Sequence, residues 1–276
     1  MKEFSLTCYR LTVAYDCRIV RLLHRMINLK KLSLSLNVVR LTVIDGVDLN
    51  EKILRYLSSL QTFVFDICTI LPPYEAKSLL STKDLEKTFT HWKYSQVNCS
   101  VDQYSNGLTY YHVYSIPYKM THFMFLTNTI RNQNQYFEFV ITLVLYDDRP
   151  FEHDSFEWIS KAVPRLKYLT IEISAPQLKQ KKETSISYNH LTRLRVIKTN
   201  IDYVYQFLCH TKAHVPQLNV IEIQYDQLFI VTNDFSSPAT RINCSQLKEL
   251  RFREAIVYPQ HFHDYFPSLL INSNMK

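Results

Sequence analysis

The 276 residues are 46% apolar and 13% aromatic, enough to fill a continuous core, so an intrinsically disordered chain is excluded. Gly46 and Gly107 are the only glycines, and a loop that cradles phosphate needs several residues without a Cβ, so a P-loop, a dinucleotide fingerprint and most nucleotide-dependent enzymes are excluded too. The net charge of +7 raises nucleic acid as a partner, but Lys and Arg alternate with Asp and Glu along most of the chain and no aromatic-basic module is present, so nucleic-acid binding is not the expectation.

In chain order, the first 25 residues interrupt every apolar run with charge, and no later run approaches the roughly 18 residues of a membrane span. Neither a signal peptide nor an anchor is expected, no membrane is a partner, and the chain is placed in the cytoplasm or nucleus. Cys8-Leu11-Val13 then opens a pattern of apolar residues at the first, fourth and sixth positions, with a small polar residue ninth, here Asp16. Ile19, Leu22, Leu23 and Met26 recur at helical spacing. Leu29-Leu32-Leu34 repeats the strand pattern with Asn37 ninth, Leu49 to Leu57 makes a second helical face, and Leu60-Phe63-Phe65 repeats the strand with Cys68 ninth.

From about residue 71 to 138 the period fails, and this stretch is expected to be an insertion rich in Tyr, Asn and Gln. Inside it, Ser81 and Asp84 are placed to start a helix running to Phe89, and Thr109 to Tyr114 alternates like a strand. The pattern resumes at Val140-Leu143-Leu145 with Asp148 ninth, followed by a helix through Phe156, Ile159 and Val163.

The pattern is cleanest in Leu166-Leu169-Ile171, Leu191-Leu194-Val196, Leu218-Ile221-Ile223 and Leu247-Leu250-Phe252, whose first residues lie 25, 27 and 29 apart. That is the period of leucine-rich repeats, each one strand plus one helix or 3₁₀ turn. The ninth residues, Ser174, Thr199, Asp226 and Ala255, are mostly the small hydrogen-bonding type that satisfies backbone groups where a strand ends. The fold class expected is therefore α/β: one curved leucine-rich-repeat-like solenoid of about seven or eight repeats. Its parallel strands lie on the concave face, its helices outside, its repeats over about 5–70 and 139–276, and a polar loop over 177–187.

No chemistry-bearing cluster competes with this reading. Cys8, Cys17, Cys68, Cys99, Cys209 and Cys244 form no CxxC pair, so neither zinc nor a disulfide framework is expected. His261, His263 and Asp264 have the types of metal ligands but not the four-residue helical step, and His153, Asp154 and Ser155 are adjacent, so they point to different faces. The chain is expected not to be an enzyme and to need no cofactor.

The stretches NLKKLSLSL (Asn28 to Leu36), YDDRPFEHDSFEWIS (Tyr146 to Ser160), VTNDFSSPATRINCSQLKEL (Val231 to Leu250) and YPQHFHDYFPSLL (Tyr258 to Leu270) resemble F-box/leucine-rich-repeat proteins. The similarity is greatest to the irregular repeat half of a lineage-expanded invertebrate group. It implies the substrate-recognising half of a ubiquitin ligase receptor. The F-box that would dock the ligase core is absent, so the ligase-core adaptor is not expected to bind through this chain alone. The first strand also lies at an uncapped end of the stack, which is expected to associate.

If the phase holds, the third, fifth and seventh residues of each strand point out of the concave face. They are Tyr168, Thr170 and Glu172; Arg193, Arg195 and Ile197; Val220, Glu222 and Gln224; Glu249, Arg251 and Arg253. The candidate partner-binding residues are Tyr168, Glu172, Arg193, Arg195, Glu222, Arg251 and Arg253. The expected function is a non-catalytic protein-interaction module whose arginines hold an acidic or phosphorylated segment, because guanidinium groups grip such anions bidentately. The alternatives are a basic solenoid that binds nucleic acid, or a truncated repeat fragment without independent function.

Overall fold

The computed structural model describes residues 2–73, 79–131, 135–178, 184–254 and 256–270. It is a mixed α/β chain that divides into two compact units, Met1–Met120 and Thr121–Lys276. Among the described residues no helix is long and apolar enough to cross a membrane.

In the first unit, β1 (Glu3–Thr12), β2 (Lys31–Val39) and β3 (Thr62–Leu71) run parallel, and β4 (Gln96–Gln103) and β5 (Thr109–Ile116) add an antiparallel hairpin in the order β1-β2-β3-β5-β4. Alternation puts Leu32, Leu34 and Leu36, then Phe63, Phe65 and Ile67, into one buried layer. A π-helical turn (Tyr15–Val20), α1 (Arg21–Leu23), α2 (Gly46–Lys52) and α3 (Thr82–Lys87) supply its cover through Tyr15, Leu23, Leu49 and Leu85, each at 0% exposure. Two side chains start the later helices: Asp45 accepts the Asp48 amide at 2.8 Å, and Ser81 accepts the Asp84 amide at 3.2 Å.

One expectation for this unit needs correction. The first strand is not phased on Cys8-Leu11-Val13, because Phe4 registers with Leu32, Leu6 with Leu34 and Cys8 with Leu36, while Leu11 and Val13 are 55% and 80% exposed. A bulge between Cys8 and Leu11 adds two residues and so keeps the alternation, which leaves Leu11 and Val13 on the face opposite Leu6. Within the expected insertion over 71–138, β4 and β5 form an antiparallel hairpin that extends this sheet, with Asp66 opposite Tyr114 and Leu71 opposite Thr109.

In the second unit six strands form one all-parallel sheet in the order β13-β12-β10-β8-β7-β6. They are β6 (His122–Leu126), β7 (Thr142–Tyr146), β8 (Tyr168–Glu172), β10 (Arg193–Val196), β12 (Val220–Ile223) and β13 (Glu249–Arg251). A short parallel pair, β9 (Ile186–Ser187) with β11 (Ala213–His214), lies apart from it. Leu143, Leu145, Leu169, Ile171, Leu194, Val196, Ile221, Ile223 and Leu250 are buried on one face. After β6 comes α4 (Asn128–Arg131), and α5 (His153–Ala162), α6 (Ile201–Leu208), α7 (Tyr225–Val231), α8 (Pro238–Cys244) and α9 (Phe262–Tyr265) follow later strands. Phe156, Ile159, Tyr203, Phe207, Leu228, Cys244 and Phe262 turn their apolar faces inward.

β6 lies in the stretch where no repeat was expected, and it pairs Phe123 with Leu143 and Leu126 with Leu145 across a bulge at Phe125, whose φ is 60°. The ninth-position expectation holds at two sites: Asn37 donates to the Tyr9 carbonyl at 3.0 Å, and Thr199 donates to the Ile173 carbonyl at 2.9 Å. Ser174 and Asp226 are exposed and do no such work, and Ala255 lies outside the described residues. At the Val140 copy the buried acid is Asp147, which accepts the Asn128 amide at 2.8 Å, and Asp148 is exposed. Of the polar loop 177–187, residues 179–183 lie outside the described residues.

Leu194 is fully buried and Arg193 beside it points to the opposite face. Leu194→Ala should therefore cost about 2–5 kcal/mol in urea unfolding, and Arg193→Ala about 0–1 kcal/mol. Equal losses would mean that the two faces are exchanged.

In the first unit Arg40 bridges Asp16 at 2.9 Å and Asp48 at 2.8 Å, and Lys52 reaches Asp16 at 2.6 Å. Partial burial pushes the Asp16 pKa up, but the hydrogen bond and charge of Lys52 with the charge of Arg40 outweigh it and hold the carboxyl below its usual value of 3.8. A depressed carboxylate contributes stability that is present above the unfolded value and is lost as pH falls through the folded one. Asp16→Asn should flatten the fall in melting temperature below about pH 4, where the parent loses that contribution.

Candidate partner-binding face

The solvent face of the six-stranded sheet is built by the register of its strands. Tyr168 lies opposite Arg193, which lies opposite Val220, which lies opposite Glu249. One step along each strand, Thr170, Arg195, Glu222 and Arg251 form the next row. Such neighbours are about 4.8 Å apart, within reach of side chains this long.

The side chains use that reach on each other. The Arg193 guanidinium carbon stands 5.6 Å from the Tyr168 ring centre, a cation–π stack across two strands. Arg195 sits between two acids, its Nη1 3.4 Å from Glu172 Oε1 and its Nε 3.1 Å from Glu222 Oε2. Arg251 Nε meets Glu249 Oε1 at 2.6 Å. The four arginines of the expected clamp are thus met by three glutamates, and two of the guanidiniums are already paired. Among the described residues Arg193 meets only the Tyr168 ring, and its side chain is exposed.

Not every expected residue reaches this face. Ile197 is 4% exposed, because β10 ends at Val196 and Lys198 takes a φ of 58°, so the alternation stops before it. Arg253 is exposed but lies beyond β13, where it lines a cavity of about 370 Å³ with Tyr225, Phe252 and Val257. One strand was missed: Thr142, Val144 and Tyr146 of β7 lie opposite Tyr168, Thr170 and Glu172 and so extend the face. Counting to the third, fifth and seventh positions from Val140 would have found it, since that rule picks Tyr168, Thr170 and Glu172 in the next copy.

The constellations weighed against this face do other things. His153 contacts the Gln206 side chain at 3.3 Å and the Thr184 carbonyl at 3.0 Å, while the hydroxyl of Ser155 is buried without a hydrogen bond. His261 contacts the Asp234 carbonyl at 3.0 Å. Among the described residues no group of three or more His, Cys, Asp or Glu is placed to hold a metal ion. One cluster that sequence spacing could not reveal is Asp66, His112 and Tyr118, all buried, with Tyr118 donating to Asp66 Oδ2 at 2.8 Å and the His112 ring against Oδ1. Asp66 and His112 come together through the β3–β5 pairing, and Tyr118 follows β5.

Comparison with protein-family models, with curated proteins and with solved structures finds no match to this chain.

Because Arg195 and Glu222 are both partly exposed, a double-mutant cycle on the pair should give a coupling of about 0–1 kcal/mol. A coupling above about 3 kcal/mol, the size measured on breaking buried pairs, would mean that the face is covered in solution.

Proposed function

We propose that the second unit is a leucine-rich-repeat-like curved solenoid, and that the solvent face of its sheet binds a protein partner as a non-catalytic recognition module. The observation that carries the reading is the Tyr168–Arg193 stack beside the Glu172–Arg195–Glu222 row, because it sets a flat aromatic and oriented guanidiniums on one rigid sheet. Tyr and Arg are the side chains most often found at the energetic centre of interfaces. The strand and helix alternation over 25 to 29 residues supports the repeat reading.

The partner segment is acidic or phosphorylated, and it docks first on Arg193, whose side chain is exposed. To reach Arg195 it displaces Glu172 or Glu222, and a phosphate, with more charge and more acceptor oxygens than a carboxylate, does so most readily. In keeping with the family resemblance, the segment belongs to a client of a ubiquitin ligase in the cytoplasm or nucleus, and another chain supplies the link to the ligase-core adaptor.

An array of acidic and phosphorylated peptides, read against the purified chain, tests the reading. Arg193→Glu with Arg195→Glu should weaken the bound peptides by roughly tenfold or more while the melting temperature stays nearly unchanged. Equal binding by that folded variant would remove the site from this face. Binding to generic DNA or RNA that falls steeply with added salt would instead favour the nucleic-acid reading.

A further inference from the structure

We propose that β1 is a self-pairing edge, through which two copies of this chain join antiparallel about a twofold axis at Leu6. β1 is the outer strand of the first unit's sheet, and among the described residues only β2 pairs with it. It is ten residues long, and between Phe4 and Tyr9 it contains neither proline nor a charged side chain. Natural sheets protect long edges with those features, so this edge is open to another strand. By contrast β13, one edge of the other sheet, is three residues long and carries Glu249 and Arg251.

The edge is also incompletely covered on its apolar side. Phe4, Leu6 and Cys8 pack against the core of the first unit but stay partly exposed, where Leu32, Leu34 and Leu36 one strand inward are 2%, 0% and 1% exposed. A further strand would bury that row as β1 buries the next.

Hydrogen-bond direction and symmetry together select the register. The Lys2 carbonyl accepts the Lys30 and Lys31 amides at 2.8 and 3.0 Å, so it faces β2. By alternation the amides and carbonyls of Glu3, Ser5 and Thr7 face away from β2. A twofold axis normal to the sheet keeps each copy's core side on the same side, so directly opposed residues must share a face, and one-residue slips are forbidden. With Leu6 on the axis, Ser5 of each copy exchanges hydrogen bonds with Thr7 of the other, and Phe4 meets Cys8. Sliding by two residues sets Phe4 against Arg10, or Cys8 against Lys2, an apolar side chain against a charge in either case. A second copy therefore fits this edge in one register, and the contact is isologous and closes at two.

Sedimentation velocity on the whole chain at micromolar concentration tests this. The parent should sediment as a dimer of twice 32.8 kDa, dissociating on dilution. Thr7→Pro removes an outward amide and none facing β2, and it should raise the dimer dissociation constant by roughly tenfold or more. Should that variant fail to fold by circular dichroism, Leu6→Cys decides independently: mild oxidation should give a disulfide joining the two substituted positions, found by peptide mapping. A monomeric parent, assemblies larger than two, a folded Thr7→Pro chain that dimerises as well as the parent, or a Leu6→Cys chain without that crosslink would each overturn the proposal.

Discussion

Each strand after the first in both parallel arrays is entered through the same backbone contact, in which one carbonyl accepts two amides from the residues that open the next strand. In the second unit Ile141 serves Lys167 and Tyr168, Lys167 serves Thr192 and Arg193, Thr192 serves Asn219 and Val220, and Asn219 serves Lys248 and Glu249, all at 2.8 to 3.1 Å. Lys2 and Lys30 do the same in the first. Just before each such point an apolar anchor closes a turn: the Leu166 amide reaches the Val163 carbonyl, Leu191 reaches Tyr188, Leu218 reaches Val215 and Leu247 reaches Cys244. Burying the anchor fixes where the strand starts, and the doubly used carbonyl fixes its neighbour's register. All facing of side chains follows from those two facts.

That dependence explains what could be read from residue order. The anchors Leu29, Leu60, Val140, Leu166, Leu191, Leu218 and Leu247 are fully or almost fully buried, and all but Leu247 precede an apolar pair that alternates into the core, so these strands were legible. β6 lost its phase because a bulge adds a residue at Met124–Phe125, and β1 was read several residues late, since Phe4 and Leu6 are the residues in register with Leu32 and Leu34. The antiparallel β4–β5 hairpin was only half visible, because its pairing with β3 is set by contacts far apart in the chain.

The candidate face was legible as a set of positions but not as a set of charges. Alternation identified which residues of β8, β10, β12 and β13 turn to solvent, and failed where a strand ended early, at Ile197, Gln224 and Arg253. What alternation leaves open is which side chains pair across strands. Arg195 could reach acids on both sides because Glu172 and Glu222 lie on the strands flanking it, a fact of sheet order. Exposed pairs of this kind contribute little to stability, yet they hold guanidiniums in fixed orientations.

The parallel sheet of the second unit is also a statement about folding order. Every hydrogen-bonded neighbour is the next strand of the sheet, and from Leu166 to Leu247 the anchors are separated by 25 to 29 residues. No strand must wait for the distant end of the chain, so loop-closure entropy is spread over several short, similar steps. Assembly can then proceed like a zip from any adjacent pair, and damage at one strand, such as the loss of an anchor, is felt first by the two strands beside it.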